Sequence, residues 1–299
     1  MKTERIYCGI LLEIILILSA CSQKQPLQNN PTSTRIDVVT TFYPLYDVTK
    51  KISGDKADVQ SLIPAGVEPH DYEPTPSDIA KLGKSKAFVV MGLEFSEIEG
   101  ELAESANNIQ VIDAPKGVPL IDAEEDNTGK DPHVWLSPNN MIIIAANIRD
   151  GLKNVDQTNS KLYDENAKKV INELKKLDSE YKTGLSKCKK NVILTNHRAF
   201  AYLAKDYGFK QIGISGIEPE TEPTPKEIIK IKDEAIKNNV KYIFTEELVD
   251  TRVAETIAKE IGAKTFVLDP IEGVKDPNED YFSLMRENLA KLKIALECS

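Results

Sequence analysis

The sequence predicts an α/β protein of two similar lobes, each a mainly parallel sheet flanked by helices, joined by one long rigid helix. Three observations carry this expectation. From Ile36 onward, short apolar runs alternate with amphipathic segments, the pattern of α/β layers. Between Asp156 and Lys187 there is no proline, only Gly184 interrupts, and Leu162, Val170, Ile171, Leu174 and Leu177 fall near helical spacing, so one long helix divides the alternation. The segment Glu73 to Leu82, EPTPSDIAKL, is echoed by Glu222 to Ile231, EPTPKEIIKI. Two independent choices of a Thr-Pro helix start would give the same echo, so it supports the division without establishing it. The length of 299 residues fits two domains of ordinary size.

In chain order, Ile36 to Thr41 reads as the first strand, and Ala87 to Met91 and Ile109 to Ile112 as later ones. Thr75-Pro76-Ser77-Asp78 places an N-cap, a proline at the first helical position and an acid in the first turn, and Ser137-Pro138 opens another helix in the same way. After the long helix, Val192 to Thr195, Gln211 to Ile214, Tyr242 to Thr245 and Thr265 to Leu268 are strand candidates. The expected boundaries are a first lobe over 36–155, a linking helix over 156–188 and a second lobe over 189–299.

The N-terminus is set apart. Met1 to Arg5 carries basic residues, Ile6 to Ile17 is apolar, and Leu18-Ser19-Ala20-Cys21 follows. The apolar run is short of the ~20 residues that a bilayer core of about 30 Å demands, and Glu13 inside it is costly in a membrane span. A buried N-terminal helix is the plain alternative. The pattern fits a signal peptide over residues 1–20, with small residues before Cys21 that resemble the cleavage site of bacterial lipoproteins and would leave Cys21 as a diacylated N-terminus. Residues 21–35, rich in Gln, Asn, Pro, Ser and Thr, read as a solvated tether.

Charge narrows the function classes. The 38 Lys and Arg residues stand against 47 Asp and Glu, a formal charge of -9. The lost segment carries Lys2 and Arg5 against Glu4 and Glu13, so the acidity belongs to the exported part. A chain with no basic surplus is a poor partner for nucleic acid. Hydrophobic residues at 41% and charged residues at 28% describe a water-soluble globular body.

Only three histidines are present, and each lies in a loop beside a predicted element. His70 sits in Ile63-Pro64-Ala65-Gly66-Val67-Glu68-Pro69-His70-Asp71-Tyr72, just past a strand; His133 sits in Asp131-Pro132-His133-Val134-Trp135-Leu136, before the Ser137-Pro138 start; His197 follows the strand Val192 to Thr195. Ligand sites of α/β proteins occupy such positions, and imidazole is a common ligand of zinc and other late first-row ions. A single loop histidine is more often a solvated side chain. Spacing alone does not show that the three converge.

These motifs resemble the substrate-binding lipoproteins of zinc and manganese ABC importers. The resemblance covers essentially the whole mature chain and rests on Phe42-Tyr43-Pro44, on Gly66 to Pro74, on Asp131 to Leu136, and on Asn196-His197 with Phe200, Tyr202, Leu203, Tyr207 and Gly208. It implies His70 and His133 as metal ligands from the first lobe and His197 from the second, where manganese-type members carry a carboxylate. It also implies a fourth ligand just after the last strand, within Leu268-Asp269-Pro270-Ile271-Glu272-Gly273. Asp269 is preferred there, with Glu272 the alternative. Whichever is not the ligand is an ordinary turn residue.

Three imidazoles and one carboxylate suit four-coordinate Zn²⁺, whereas Mn²⁺ prefers more oxygen. One carboxylate leaves the centre with a positive charge, so nearby acids are expected to support it. Glu68, Glu220, Glu222 and Glu246 are candidates, though solvent-facing charge is the commoner fate of any one acid. The stretch Asp122 to Lys130, where zinc-type relatives often carry a histidine-rich loop, is acidic and lacks histidine. Cys188 and Cys298, an even pair in an exported protein, suggest a disulfide, while Cys8 leaves with the signal peptide.

The resemblance implies a carrier, not an enzyme: a lipid-anchored monomer on the extracytoplasmic face of the bacterial membrane that captures Zn²⁺ and hands it to an ABC permease. The linking helix is expected to limit lobe closure. A secreted zinc hydrolase is the competing class, but it would need an open coordination position and a general base, and the chain has neither a His-Glu-x-x-His helix nor a Gly-x-Ser-x-Gly elbow. An additional adhesin role stays open.

Overall fold

The structure is a computed structural model that describes residues 35–299 other than 71, 93–98, 101, 104–108, 124–128, 220 and 277. The signal segment, Cys21, the tether up to residue 34 and Glu220 lie outside the described residues.

Two four-stranded, wholly parallel sheets form with the same topology. The first comprises β1 (Ile36–Thr40), β2 (Ala57–Ser61), β3 (Ala87–Val90) and β4 (Gln110–Asp113) in the order β2-β1-β3-β4. The second comprises β5 (Val192–Thr195), β6 (Lys210–Gly213), β7 (Tyr242–Thr245) and β8 (Lys264–Val267) in the order β6-β5-β7-β8. The central strand β3, Ala-Phe-Val-Val, is buried throughout, as a strand covered on both faces must be. The edge strand β2 alternates burial and exposure. In each sheet the strand order reverses at the middle, between β1 and β3 and between β5 and β7, and a crevice opens beyond the carboxyl ends of such strands.

The two Thr-Pro starts become helices α2 (Pro76–Leu82) and α6 (Pro225–Lys237), each opened by a complete capping box, Thr75 with Asp78 and Thr224 with Glu227. Ser137 caps α3 (Pro138–Val155), its hydroxyl accepting from the Asn140 amide. Helices α1 (Tyr43–Ser53), α5 (Ala201–Tyr207), α7 (Arg252–Ile261) and α8 (Tyr281–Ala295) complete the layers.

The linking helix, expected over 156–188, is α4 (Ser160–Gly184). It starts later because the Asp156 carboxylate collects hydrogen bonds from Asn159 and from the Tyr163 hydroxyl, both at 2.6 Å, and so folds the chain into a short 3₁₀ turn between α3 and α4. Its buried stripe, Tyr163, Ala167, Val170, Leu174, Leu177 and Tyr181, steps by four and three residues and faces α1, α3 and α8. The Tyr181 hydroxyl donates to the Met285 carbonyl at 2.6 Å, and Arg286 of α8 reaches Glu173 and Glu180. Cys188 and Cys298 form a disulfide across 110 positions, tying the chain just past α4 to the chain just past α8. No described helix is long and apolar enough to cross a membrane.

Candidate metal centre

The three histidines converge. His70 comes from the loop after β2, His133 from the turn ahead of α3, and His197 from the carboxyl end of β5 at the reversal of the second sheet. They meet Glu272, in the loop after β8, so that one donor atom from each of the four lies within 4.8 Å of every other. Glu272 Oε1 is 3.7 Å from His70 Nε2, 3.5 Å from His133 Nε2 and 3.7 Å from His197 Nε2, and the last two nitrogens are 3.3 Å apart. A tetrahedral zinc ion with bonds of about 2.0–2.2 Å has donor-to-donor edges of roughly 3.3–3.6 Å. The four separations given, 3.3–3.7 Å, match those edges or exceed them slightly, and all pairs stay within 4.8 Å, so the cluster has the size of a single zinc site.

Two of the rings are oriented by the same device. Asp131 Oδ1 accepts from the backbone amide of His133 at 2.9 Å and from its Nδ1 at 2.8 Å. Glu246 Oε1, at the carboxyl end of the neighbouring strand β7, accepts from the backbone amide of His197 at 3.3 Å and from its Nδ1 at 2.7 Å. A proton held on Nδ1 leaves Nε2 free to donate its lone pair to a metal. Glu68 Oε1 accepts from the backbone amide of His70 at 3.0 Å, fixing that turn.

Electrostatics favour a cation at this point. Burial would raise the Glu272 carboxyl, yet the His133, His197 and His70 imidazoles facing it at 3.5–3.7 Å outweigh burial and hold the group well below the usual carboxylate range. Burial would lower His197, but Glu246 and Glu272 hold it well above the usual imidazole value; His133 is raised by Asp131 against the same penalty. Burial and the Glu272 charge push Glu68 up to about 8. The buried Oε1 of Glu272 and Oε2 of Glu68 and Glu246 have no hydrogen-bond partner among the described residues. Such concentrated carboxylate charge is stabilised by a bound divalent ion.

Asp269, preferred from sequence as the fourth ligand, stands outside the cluster, and Glu272 stands in it. The reason is local: Asp269 turns its Oδ1 to the Ile271 amide at 2.6 Å and caps the turn that presents Glu272. Among the supporting acids, Glu68 and Glu246 adjoin the histidines, but Glu222 is exposed two residues ahead of the α6 cap and does not reach them. Asp131 is a supporting acid beyond the four expected, and the sequence carries a signal for it: Glu68-Pro69-His70 and Asp131-Pro132-His133 share an acid-Pro-His pattern.

Two α/β lobes with a buried three-histidine, one-carboxylate cluster drawn from both define a metal-binding protein of the two-lobed kind. A family model described as zinc-uptake complex component A, periplasmic (ZnuA), matches residues 38–295, and the chain belongs to that family. It is 38% identical over 307 residues to the high-affinity zinc uptake system protein ZnuA of Bacillus subtilis (strain 168), covering 96% of each. It is 36% identical to the zinc-binding lipoprotein AdcA of Streptococcus pneumoniae over 93% of this chain, and spans 58% of that protein's length. The Zn(II)-bound ZnuA-like domain of that AdcA superposes with a TM-score of 0.78 at 37% identity over 88% of this chain and 99% of the domain. A mutant structure of the laminin-binding adhesin Lmb of Streptococcus agalactiae gives a TM-score of 0.83 at 35% identity, over 87% of this chain and 99% of that one.

Proposed function

We propose that this chain captures Zn²⁺ between its lobes, through His70, His133, His197 and Glu272, and delivers it to an ABC-type import permease. The observation that carries the reading is the convergence of four buried donor atoms, from both lobes, all within 4.8 Å of one another and several at or near the edge lengths of a zinc tetrahedron. With three nitrogens and one oxygen, the set suits Zn²⁺ better than Mn²⁺. Four protein donors fill the tetrahedron, which is the arrangement of a carrier and not of a hydrolase with an open position. The family is one of binding components, and the chain is not an enzyme.

In the full reading the chain acts as a monomer, held by lipid on Cys21 at the extracytoplasmic face of the membrane. Direct bonds between the lobes accompany the metal site: the Tyr202 hydroxyl donates to the Asp131 carbonyl at 2.8 Å, and the Trp135 indole donates to the Pro270 carbonyl at 2.7 Å. Together with α4 they favour a small change of lobe angle on metal exchange, and an unchanged radius of gyration in small-angle scattering of metal-free and zinc-loaded protein is the expected result. Titration calorimetry tests the function itself: one tight Zn²⁺ per chain, lost in His197→Ala, is expected, and equally tight binding by that variant refutes the site. The likeness to Lmb favours adhesion as a second role, tested by binding of the purified chain to immobilised laminin.

A further inference from the structure

The turn that presents Glu272 holds one unusual backbone angle. Ile271, fully buried, has φ of +59°. A β-branched residue in the left-handed region is a genuine outlier, held only where its surroundings over-determine it. Those surroundings are visible on every side of the turn. Asp269 Oδ1 accepts from the Ile271 amide at 2.6 Å. Asn288, fully buried on α8, brackets the Asp269 backbone, its Oδ1 accepting from the Asp269 amide at 2.9 Å and its Nδ2 donating to the Asp269 carbonyl at 2.6 Å. From the first lobe, Trp135 Nε1 donates to the Pro270 carbonyl at 2.7 Å.

We infer that Asp269, Asn288 and Trp135 form a clamp that forces Ile271 into the left-handed conformation and thereby aims Glu272 at the three histidines, which makes Asp269 a positioning residue for metal capture. This deepens the proposed function and rests on its assignment of Glu272 as a metal donor. If Ile271 relaxed to the ordinary side of φ, the chain leaving it would change direction and carry the carboxylate of the next residue with it. The clamp also couples two donors from different lobes. Trp135 lies two residues after His133, and the two rings pack at 5.1 Å between centroids, so the side chain that anchors Pro270 also buttresses an imidazole.

The test compares zinc affinity of the metal-free full chain, by competition with a chromogenic chelator, across Asp269→Ala, Asp269→Asn, Trp135→Phe and Glu272→Ala, with thermal unfolding of each metal-free variant alongside. Asp269→Ala is expected to weaken zinc binding by about 10–100-fold, the usual effect of losing a group that orients a ligand. Asp269→Asn keeps an oxygen for the Ile271 amide and is expected to bind close to the parent. Trp135→Phe retains an aromatic ring but lacks the donor, and is expected to weaken binding while remaining folded. Parent-like affinity in both Asp269→Ala and Trp135→Phe, with only their melting temperatures lowered, overturns the clamp. Equal losses in Asp269→Asn and Asp269→Ala overturn it too, because the charge and not the hydrogen bond would then matter. Parent-like affinity in Glu272→Ala instead overturns the assignment of Glu272 as a donor.

Discussion

The Nε2 atoms of His133 and His197, residues of different lobes, lie 3.3 Å apart, and each ring is held from behind by a carboxylate, Asp131 and Glu246 respectively. The two acids therefore work on opposite sides of the cleft toward one purpose. Removing either leaves a ring whose tautomer and tilt are no longer set. Asp131→Ala and Glu246→Ala are each expected to reduce zinc affinity by about 10–100-fold without abolishing it, as measured by competition with a calibrated chelator. Undiminished affinity in both would show that the rings need no such support.

Zinc should also hold the fold together by mass action. A ligand that binds only the folded state at a hundred times its dissociation constant adds about 2.7 kcal/mol. For a body of this size that is roughly 5–10 °C in melting temperature. Calorimetric scans with excess zinc are expected to show this rise, and scans with a chelator to abolish it. His197→Ala should show little of it.

Glu99, away from the metal centre, contributes to the pH dependence of the metal-free fold. Its carboxylate sits at the reversal point of the first sheet, accepting from the amides of Met91 and Gly92 at 2.5 and 2.6 Å and from the Thr41 hydroxyl. Burial, only partly offset by those bonds and reinforced by Asp113, pushes the group up to about 7 from its ordinary 4.5. Between those values the folded chain keeps a proton that the unfolded chain has released. The Glu99 contribution is thus complete below about 4.5 and is lost as pH rises through about 7, a change on the order of 3 kcal/mol. Glu99→Gln, which stays neutral, should become more stable relative to the parent across that window, read by denaturant unfolding in chelator. A pH-independent difference would exclude this role.

What the sequence reveals follows from which forces are local. Strands β5 and β7 fall on the expected residues because each is a short apolar run between polar breaks. The start of α4 does not, since a side chain, Asp156, diverts the chain where the periodicity continues. The histidines are legible because they are only three. The choice of Glu272 over Asp269 is not, because it turns on a left-handed isoleucine, and no reading of propensities places a β-branched residue there. That conformation is imposed by Asn288 and Trp135, which are distant in sequence.

The disulfide is expected to act on stability and not on metal capture. Closing a loop of 110 positions restricts the unfolded chain, by about 4–5 kcal/mol in the entropic account. Replacing Cys188 and Cys298 together by serine should lower unfolding free energy by about 2–5 kcal/mol, the range seen when native disulfides are removed. Zinc affinity should stay at the parent value because neither cysteine adjoins the cluster. Weakened zinc binding in the double variant would show instead that the tie between the ends of α4 and α8 tunes the cleft.

Two glycines offer a ranking that separates packing from helix propensity. Gly151 lies within α3, where a Cβ would stand 2.4 Å from Ile112 Cδ1 and 2.5 Å from its Cγ1. Ile112 belongs to β4 and is 5% exposed, so neither partner has room to withdraw. Gly184, the last residue of α4, would place a Cβ 3.2 Å from Leu289 Cδ1, the end of a flexible side chain. Helix propensity favours alanine over glycine by about 0.8–1 kcal/mol in a helix interior and by less at an end. Overpacking costs about 1–3 kcal/mol, and at Gly151 it acts at full strength against a rigid neighbour. Gly151→Ala is therefore expected to be net destabilising by about 1–2 kcal/mol, and Gly184→Ala to lie near neutral, both by denaturant unfolding of the metal-free chain. If Gly151→Ala proves the more stable of the two, propensity has won and α3 does not press on the sheet as closely as the structure has it.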